Sequence, residues 1–88
     1  MSYYVYILVC TDGSFYTGST NDVAKRIKNH LDGRGARYTK SHKPQKLIYQ
    51  EKFSTKSDAL KREAEIKSWT RAKKEELITA GHVQNINI

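Results

Sequence analysis

Cysteine and proline are almost missing from this chain. Cys10 is the only cysteine, so no intrachain disulfide can form. A thiol-based metal or redox centre normally needs a cluster and is not expected. Cys10 lies in the apolar run VYILVC, where a free cysteine acts as a small buried hydrophobe. Proline is equally rare, with Pro44 alone. Acidic residues are few: 9 Asp and Glu stand against 16 Lys and Arg, for a net charge of +7. No apolar run approaches the roughly 20 residues of a membrane-crossing helix. The first residues, SYYVYILVC, lack the basic flank of a signal peptide and run into a polar turn. A cytoplasmic protein with no membrane partner is the expectation, monomeric by default. A chain of 88 residues leaves room for one domain with a thin core.

The charge is concentrated in one place. Residues 25–46 carry Lys25, Arg26, Lys28, Arg34, Arg37, Lys40, Lys43 and Lys46 against Asp32 alone, which accounts for the whole excess of +7. The rest of the chain is balanced. A mixed charge run is usually a solvated face. A one-sided block in a neutral background, with Tyr38 inside it, favours a polyanion, most simply nucleic acid. An anionic membrane surface fits less well, because the segment has no apolar stripe.

The pattern of residue types predicts the elements. YYVYILVC (3–10) is β-branched and aromatic and reads as a strand. TDGS (11–14) is a turn by its Asp-Gly step, and FYTG (15–18) is the return strand. Thr20, Asn21 and Asp22 can each cap a helix. Val23, Ala24, Ile27 and Leu31 then recur at helical spacing, for about three turns ending near Asp32-Gly33. Residues 33–45 form a glycine-rich basic loop closed by Pro44. KLIYQEKF (46–53) is a third strand. Thr55 and Asp58 form a capping box for a helix to about Ser68. Thr70 caps a third helix, 71–80, stopped by Gly81. The tail after it either frays or adds a short strand. The order β-β-α-β-α-α gives an α+β domain, a three-stranded antiparallel sheet flanked by helices, with its core at about residues 3–80.

Three features break this pattern. Arg26 and His30 stand one turn apart on an edge of the first helix's apolar stripe and should lean over the rim of the sheet; snorkelling at a core boundary would also place them there. Glu63 has Ala59, Leu60, Ile66 and Lys67 as helix neighbours, so its carboxylate lies on a buried stripe. A buried carboxylate needs a cation. That cation is either Lys67 or Arg26 in an internal salt bridge, or a metal at the mouth of a pocket. Finally, Tyr6 and Tyr16 share a face of the hairpin only if the pairing has even parity. A two-residue Asp-Gly turn would put them on opposite faces; a three- or five-residue loop, or a bulge, would put them together.

Tyr4-Val5-Tyr6, then Tyr16-Thr17-Gly18, then Arg26 and His30 on the following helix and Glu63 on a later one resemble the GIY-YIG nuclease module over roughly residues 3–80. The nearest likeness is to the small stand-alone bacterial proteins of that family. Tyr4 replaces the name-giving glycine, and Val5 and Thr17 replace isoleucines. The resemblance implies hydrolysis of a nucleic-acid phosphodiester with one divalent ion, Mg²⁺ or Mn²⁺, held by Glu63. Tyr6, Tyr16, Arg26 and His30 would be catalytic: Arg26 presents its fork to the phosphate, and Tyr6 activates water with Tyr16 or His30 assisting, its pKa lowered by Arg26 and the metal. Gly18 would let the chain pass close to the substrate. Lys25, Arg34, Arg37, Lys40 and Lys43 would grip the backbone of nucleic acid, DNA rather than RNA, with little sequence information. The competing readings are a nucleic-acid-binding module without catalysis and a domain for an acidic protein partner.

Overall fold

The computed structural model describes residues 2–33, 38, 41–81 and 86–87. Three long antiparallel strands, β1 (Tyr3–Cys10), β2 (Phe15–Thr20) and β3 (Pro44–Phe53), lie in the order β2-β1-β3. Helix α1 (Val23–Leu31) follows β2, and α2 (Lys56–Lys67) and α3 (Arg71–Ala80) follow β3. The two-residue strand β4 (Ile86–Asn87) pairs with Lys46 and Leu47 on the outer side of β3. The tail therefore adds a short strand. The α+β order expected from the sequence is observed.

The hairpin loop decides the parity question. Ser14 O accepts from Cys10 N at 2.8 Å and Gly13 N donates to Cys10 O at 2.9 Å, which leaves Thr11, Asp12 and Gly13 as a three-residue loop. Gly13 takes φ +86°, a conformation costly for any residue with a Cβ. The Asp12 carboxylate takes the Ser14 N–H at 3.0 Å and the Ser14 hydroxyl at 2.6 Å, which fixes the turn. The resulting register pairs Tyr6 with Gly18 and Leu8 with Tyr16. Tyr6 and Tyr16 therefore share a face.

Each face of the sheet has its own core. Val5, Ile7, Ile48 and Tyr49 pack with Ala59 and Ile66 of α2, backed by Leu77 and Ile78 of α3. A side chain buried as fully as Ile66 contributes about 1.5–3 kcal/mol over an exposed one. On the other face Tyr6, Leu8 and Leu47 pack with Tyr16 and with Val23 and Ile27 of α1. The register between β1 and β3 shifts at Ile7/Leu8 and again at Val9/Cys10. Strand β3 begins two residues earlier than the sequence suggests, with Pro44 at its first position, where the missing N–H costs least.

Two packing expectations need correction. Ala24 is exposed and Leu31 is 45 % exposed, so neither belongs to the buried face of α1. His30, only 1 % exposed, turns inward instead, because it hydrogen-bonds a buried phenol. Leu60 on α2 is likewise exposed, and the buried line of that helix runs Ala59, Glu63, Ile66. The caps are Asp22, Thr55 and Thr70, each accepting from the backbone N–H three residues on.

Candidate active site

Two strands and one helix bring Tyr6, Tyr16 and His30 together. The Tyr6 and Tyr16 ring centroids are 6.2 Å apart, Tyr6 and His30 6.0 Å, and Tyr16 and His30 5.1 Å. Tyr6 Oη lies 2.8 Å from His30 Nε2. This contact explains why a histidine replaces an apolar residue on the inner side of α1: it satisfies a phenol that no water reaches.

Arg26, one turn earlier, extends its guanidinium alongside Tyr6 and Tyr16, whose oxygens hold it firmly charged. Its Nε is buried and has no hydrogen-bond partner among the described residues. A buried donor left unpaired costs about 1–3 kcal/mol. Arg26 also lines a cleft of about 250 Å³ at the start of α1, with Thr20, Asn21, Asp22, Lys25 and Asn29. A second cleft, of about 310 Å³, opens on the other face beside Ser19, Thr20 and Asn21. The end of β2 thus separates two adjoining clefts.

A Cβ on Gly18 would lie 2.5 Å from Tyr6 Oη and 3.0 Å from Tyr16 Cε2. The space is filled by the phenols, so the glycine makes room for Tyr6.

Burial works against the expected lowering of the Tyr6 pKa by Arg26. Desolvation pushes the Tyr6 phenol well above the usual tyrosine range; Arg26 opposes this, Tyr16 and Glu63 add to it, and burial wins. Burial first, and the Arg26 charge second, hold His30 below its usual value. The pair is therefore a neutral phenol bound to a neutral imidazole. Tyr6 is also fully buried, whereas Tyr16 is half-buried. The tyrosine open to an incoming water is Tyr16.

Glu63 lies beside β2 on the opposite face of the sheet, near enough for its charge to bear on Tyr6. Ser19 shares the face of Val5, opposite to Tyr6, and its hydroxyl donates to Glu63 Oε1 at 2.6 Å. Lys67 Nζ lies 2.7 Å from Glu63 Oε2 and 5.9 Å from the centre of the Tyr16 ring. The internal salt bridge is thus to Lys67. Glu63 is 16 % exposed and Lys67 50 %, so the cation is the more accessible member. Among the described residues no group of three His, Cys, Asp or Glu is placed to hold a metal. The donor set fits only a hard ion that takes one carboxylate and fills its other positions with water and phosphate, as Mg²⁺ does.

Lys25 and Lys43 are exposed, on α1 and at the approach to β3. Arg34, Arg37 and Lys40 lie outside the described residues. Sequence reasoning missed Ser19, whose face follows only from the hairpin register. It also missed the ring contacts of Tyr38, which stacks on Tyr16 at 6.1 Å and on His42 at 4.0 Å; Tyr38 inside the basic block was the available signal.

Known proteins give this geometry a family. A family model described as the GIY-YIG catalytic domain matches residues 2–76. A UPF0213 protein of Staphylococcus saprophyticus is 56 % identical over 79 residues, covering 90 % of this chain and 96 % of its own. A UPF0213 protein of Staphylococcus aureus is 56 % identical over 77 residues, 88 % of this chain and 94 % of its own. The solution NMR structure of a UPF0213 protein from Bacillus halodurans superposes with a TM-score of 0.61 at 47 % identity, over 93 % of this chain and 88 % of that one. That of a protein from E. faecalis gives 0.62 at 43 %, over 90 % and 84 %. A match over residues 2–76, with relatives of 56 % identity over most of their length, means that the chain belongs to the GIY-YIG family.

Proposed function

We propose that this protein is a divalent-metal-dependent endonuclease that hydrolyses nucleic-acid phosphodiester bonds, DNA rather than RNA, with low sequence specificity, in the repair or processing of DNA. The observation that carries the reading is Arg26, whose guanidinium lies alongside Tyr6 and Tyr16, lines a cleft, and has an Nε without a hydrogen-bond partner among the described residues. A fixed guanidinium lining a cleft is suited to a phosphate and to charge developing on phosphorus.

Each residue has a role in this scheme. Arg26 orients the phosphate. Tyr16 faces the attacking water. Tyr6 and His30, neutral and bonded to each other, pack against the Tyr16 ring and fix its orientation. Glu63, positioned by Ser19, would hold the metal once Lys67 turns aside. The ion would supply neutralisation of the leaving oxygen. The exposed Lys25 and Lys43 extend the positive surface along the nucleic-acid backbone.

A second reading, a nucleic-acid-binding module without catalysis, is favoured by one fact: both oxygens of Glu63 are engaged by the protein itself. Nicking of supercoiled plasmid separates the two. The nuclease reading expects nicking that requires Mg²⁺ and is lost in Arg26→Ala and Glu63→Ala proteins that still fold and bind. Equal metal-independent binding by wild type and both variants, without nicking, refutes it.

A further inference from the structure

Tyr16, Tyr38 and His42 form a short train of aromatic rings running outward from the site. Tyr16 and Tyr38 are 22° from parallel, and Tyr38 and His42 only 3°. The outer ring is held from both edges. His42 donates its backbone N–H to Tyr38 O at 2.9 Å, and the same carbonyl lies 3.0 Å from His42 Nδ1. Asp12 Oδ2 lies 3.7 Å from His42 Nε2, while Asp12 Oδ1 takes the N–H and hydroxyl of Ser14. Tyr38 reaches the apolar cluster of its face through the Tyr16 ring and is not among the described hydrophobic residues packed directly against that cluster. One ring face of His42 rests on Tyr38, yet its side chain is still 35 % exposed. A flat, fixed, half-open ring at the end of a stack, next to the exposed Lys43, is built to continue that stack.

We propose that the outward face of His42 is the seat of an unpaired nucleobase, so that the site takes single-stranded or locally opened nucleic acid in preference to intact duplex. This rests on the reading that the Tyr16 face meets nucleic acid. Any base has a π-face, so stacking discriminates little between sequences, and a base already stacked within a duplex is not available to His42. The train places this seat two rings from Tyr16, where a nucleotide flanking the scissile phosphate would lie.

The test compares a short single strand carrying 2-aminopurine with the same sequence as duplex, by fluorescence anisotropy in chelator at low salt. Stacking on aromatic side chains is worth about 1–3 kcal/mol per base. His42→Ala is expected to lower the ratio of single-strand to duplex affinity about tenfold, and His42→Phe to restore it to within about twofold. In the wild type, 2-aminopurine fluorescence is quenched on binding, a readout that needs no variant. An unchanged ratio in folded His42→Ala, a Phe variant that fails to restore it, or absence of quenching overturns the seat. Plasmid nicking by the same preparations keeps the two proposals apart. Nicking without any His42 effect removes the base seat alone. A His42 effect without nicking supports the seat and refutes the nuclease.

Discussion

Gly18→Ala is the substitution on which the geometry makes its firmest demand. The new Cβ would stand 2.5 Å from Tyr6 Oη, 2.7 Å from Tyr6 Cζ and 3.0 Å from Tyr16 Cε2. Carbon atoms in comfortable contact are about 3.5–4.0 Å apart, so Tyr6 must retreat by roughly 1 Å. It has nowhere to go: the ring is rigid, fully buried, packed with Leu8 and Leu47, and tied to His30. Overpacking of this kind costs about 1–3 kcal/mol, and losing the buried phenol–imidazole bond adds about 1 kcal/mol. Backbone strain contributes nothing, since only Gly13 and Gly33 among the described glycines have positive φ. The expected loss is about 3 kcal/mol, or roughly 12–24 °C in Tm for a domain of this size. Urea unfolding followed by circular dichroism and by the fluorescence of Trp69 measures it. Tyr6→Phe removes the nearest clashing atom, so the double variant should be more stable than the sum of the two single losses predicts. A Gly18→Ala protein within about 0.5 kcal/mol of wild type, or strict additivity in the double variant, would refute the placement of Tyr6.

Three further outcomes are expected. Thr17 Oγ1 is buried without a hydrogen-bond partner among the described residues, so Thr17→Val should raise stability by about 1 kcal/mol, seen as a Tm about 4–8 °C higher; a lower Tm would show that the hydroxyl is satisfied. His30 sits below its ordinary pKa of 6.5, so the unfolded chain binds a proton that the folded chain refuses. Stability should therefore hold above about pH 6.5 and fall as pH drops from there toward the lower native value, and His30→Gln should flatten that slope in urea titrations kept above about pH 5, clear of the depressed carboxylate of Glu51. Lys67→Met frees Glu63 of its resident cation, and a half-exposed ion pair is worth at most about 1 kcal/mol, so Mn²⁺ followed by electron paramagnetic resonance should bind about two- to fivefold more tightly, with Glu63→Gln binding none; unchanged affinity would mean that the metal does not compete with Lys67.

The elements were legible because their signals are local. Asp22, Thr55 and Thr70 announce helix starts through side chains that accept from the backbone within one turn. The residues proposed for the site could be picked out by type and order, but not their arrangement. The Asp-Gly step permits either a two- or a three-residue loop, and the choice rests on Asp12 bonding to Ser14. The inner side of α1 could not be read by counting apolar residues, because one specific bond from His30 to Tyr6 outweighs the pull of Ala24 and Leu31. The raised pKa of Tyr6 depends on how completely the fold covers it, which no spacing reveals.

Strand β2 is the rim of the sheet, and consecutive residues on it serve opposite sides: Tyr16 and Gly18 the phenol cluster, Ser19 the carboxylate of Glu63. The strand behaves like a blade whose two flanks carry the two halves of the site proposed above. The length of the hairpin tip is therefore under tighter geometric control than the letters of either tripeptide. Trading Ile for Val5 or Thr17 alters packing by a methyl group or a hydroxyl, but adding or removing one residue between Cys10 and Ser14 would invert the blade and send each half to the wrong flank.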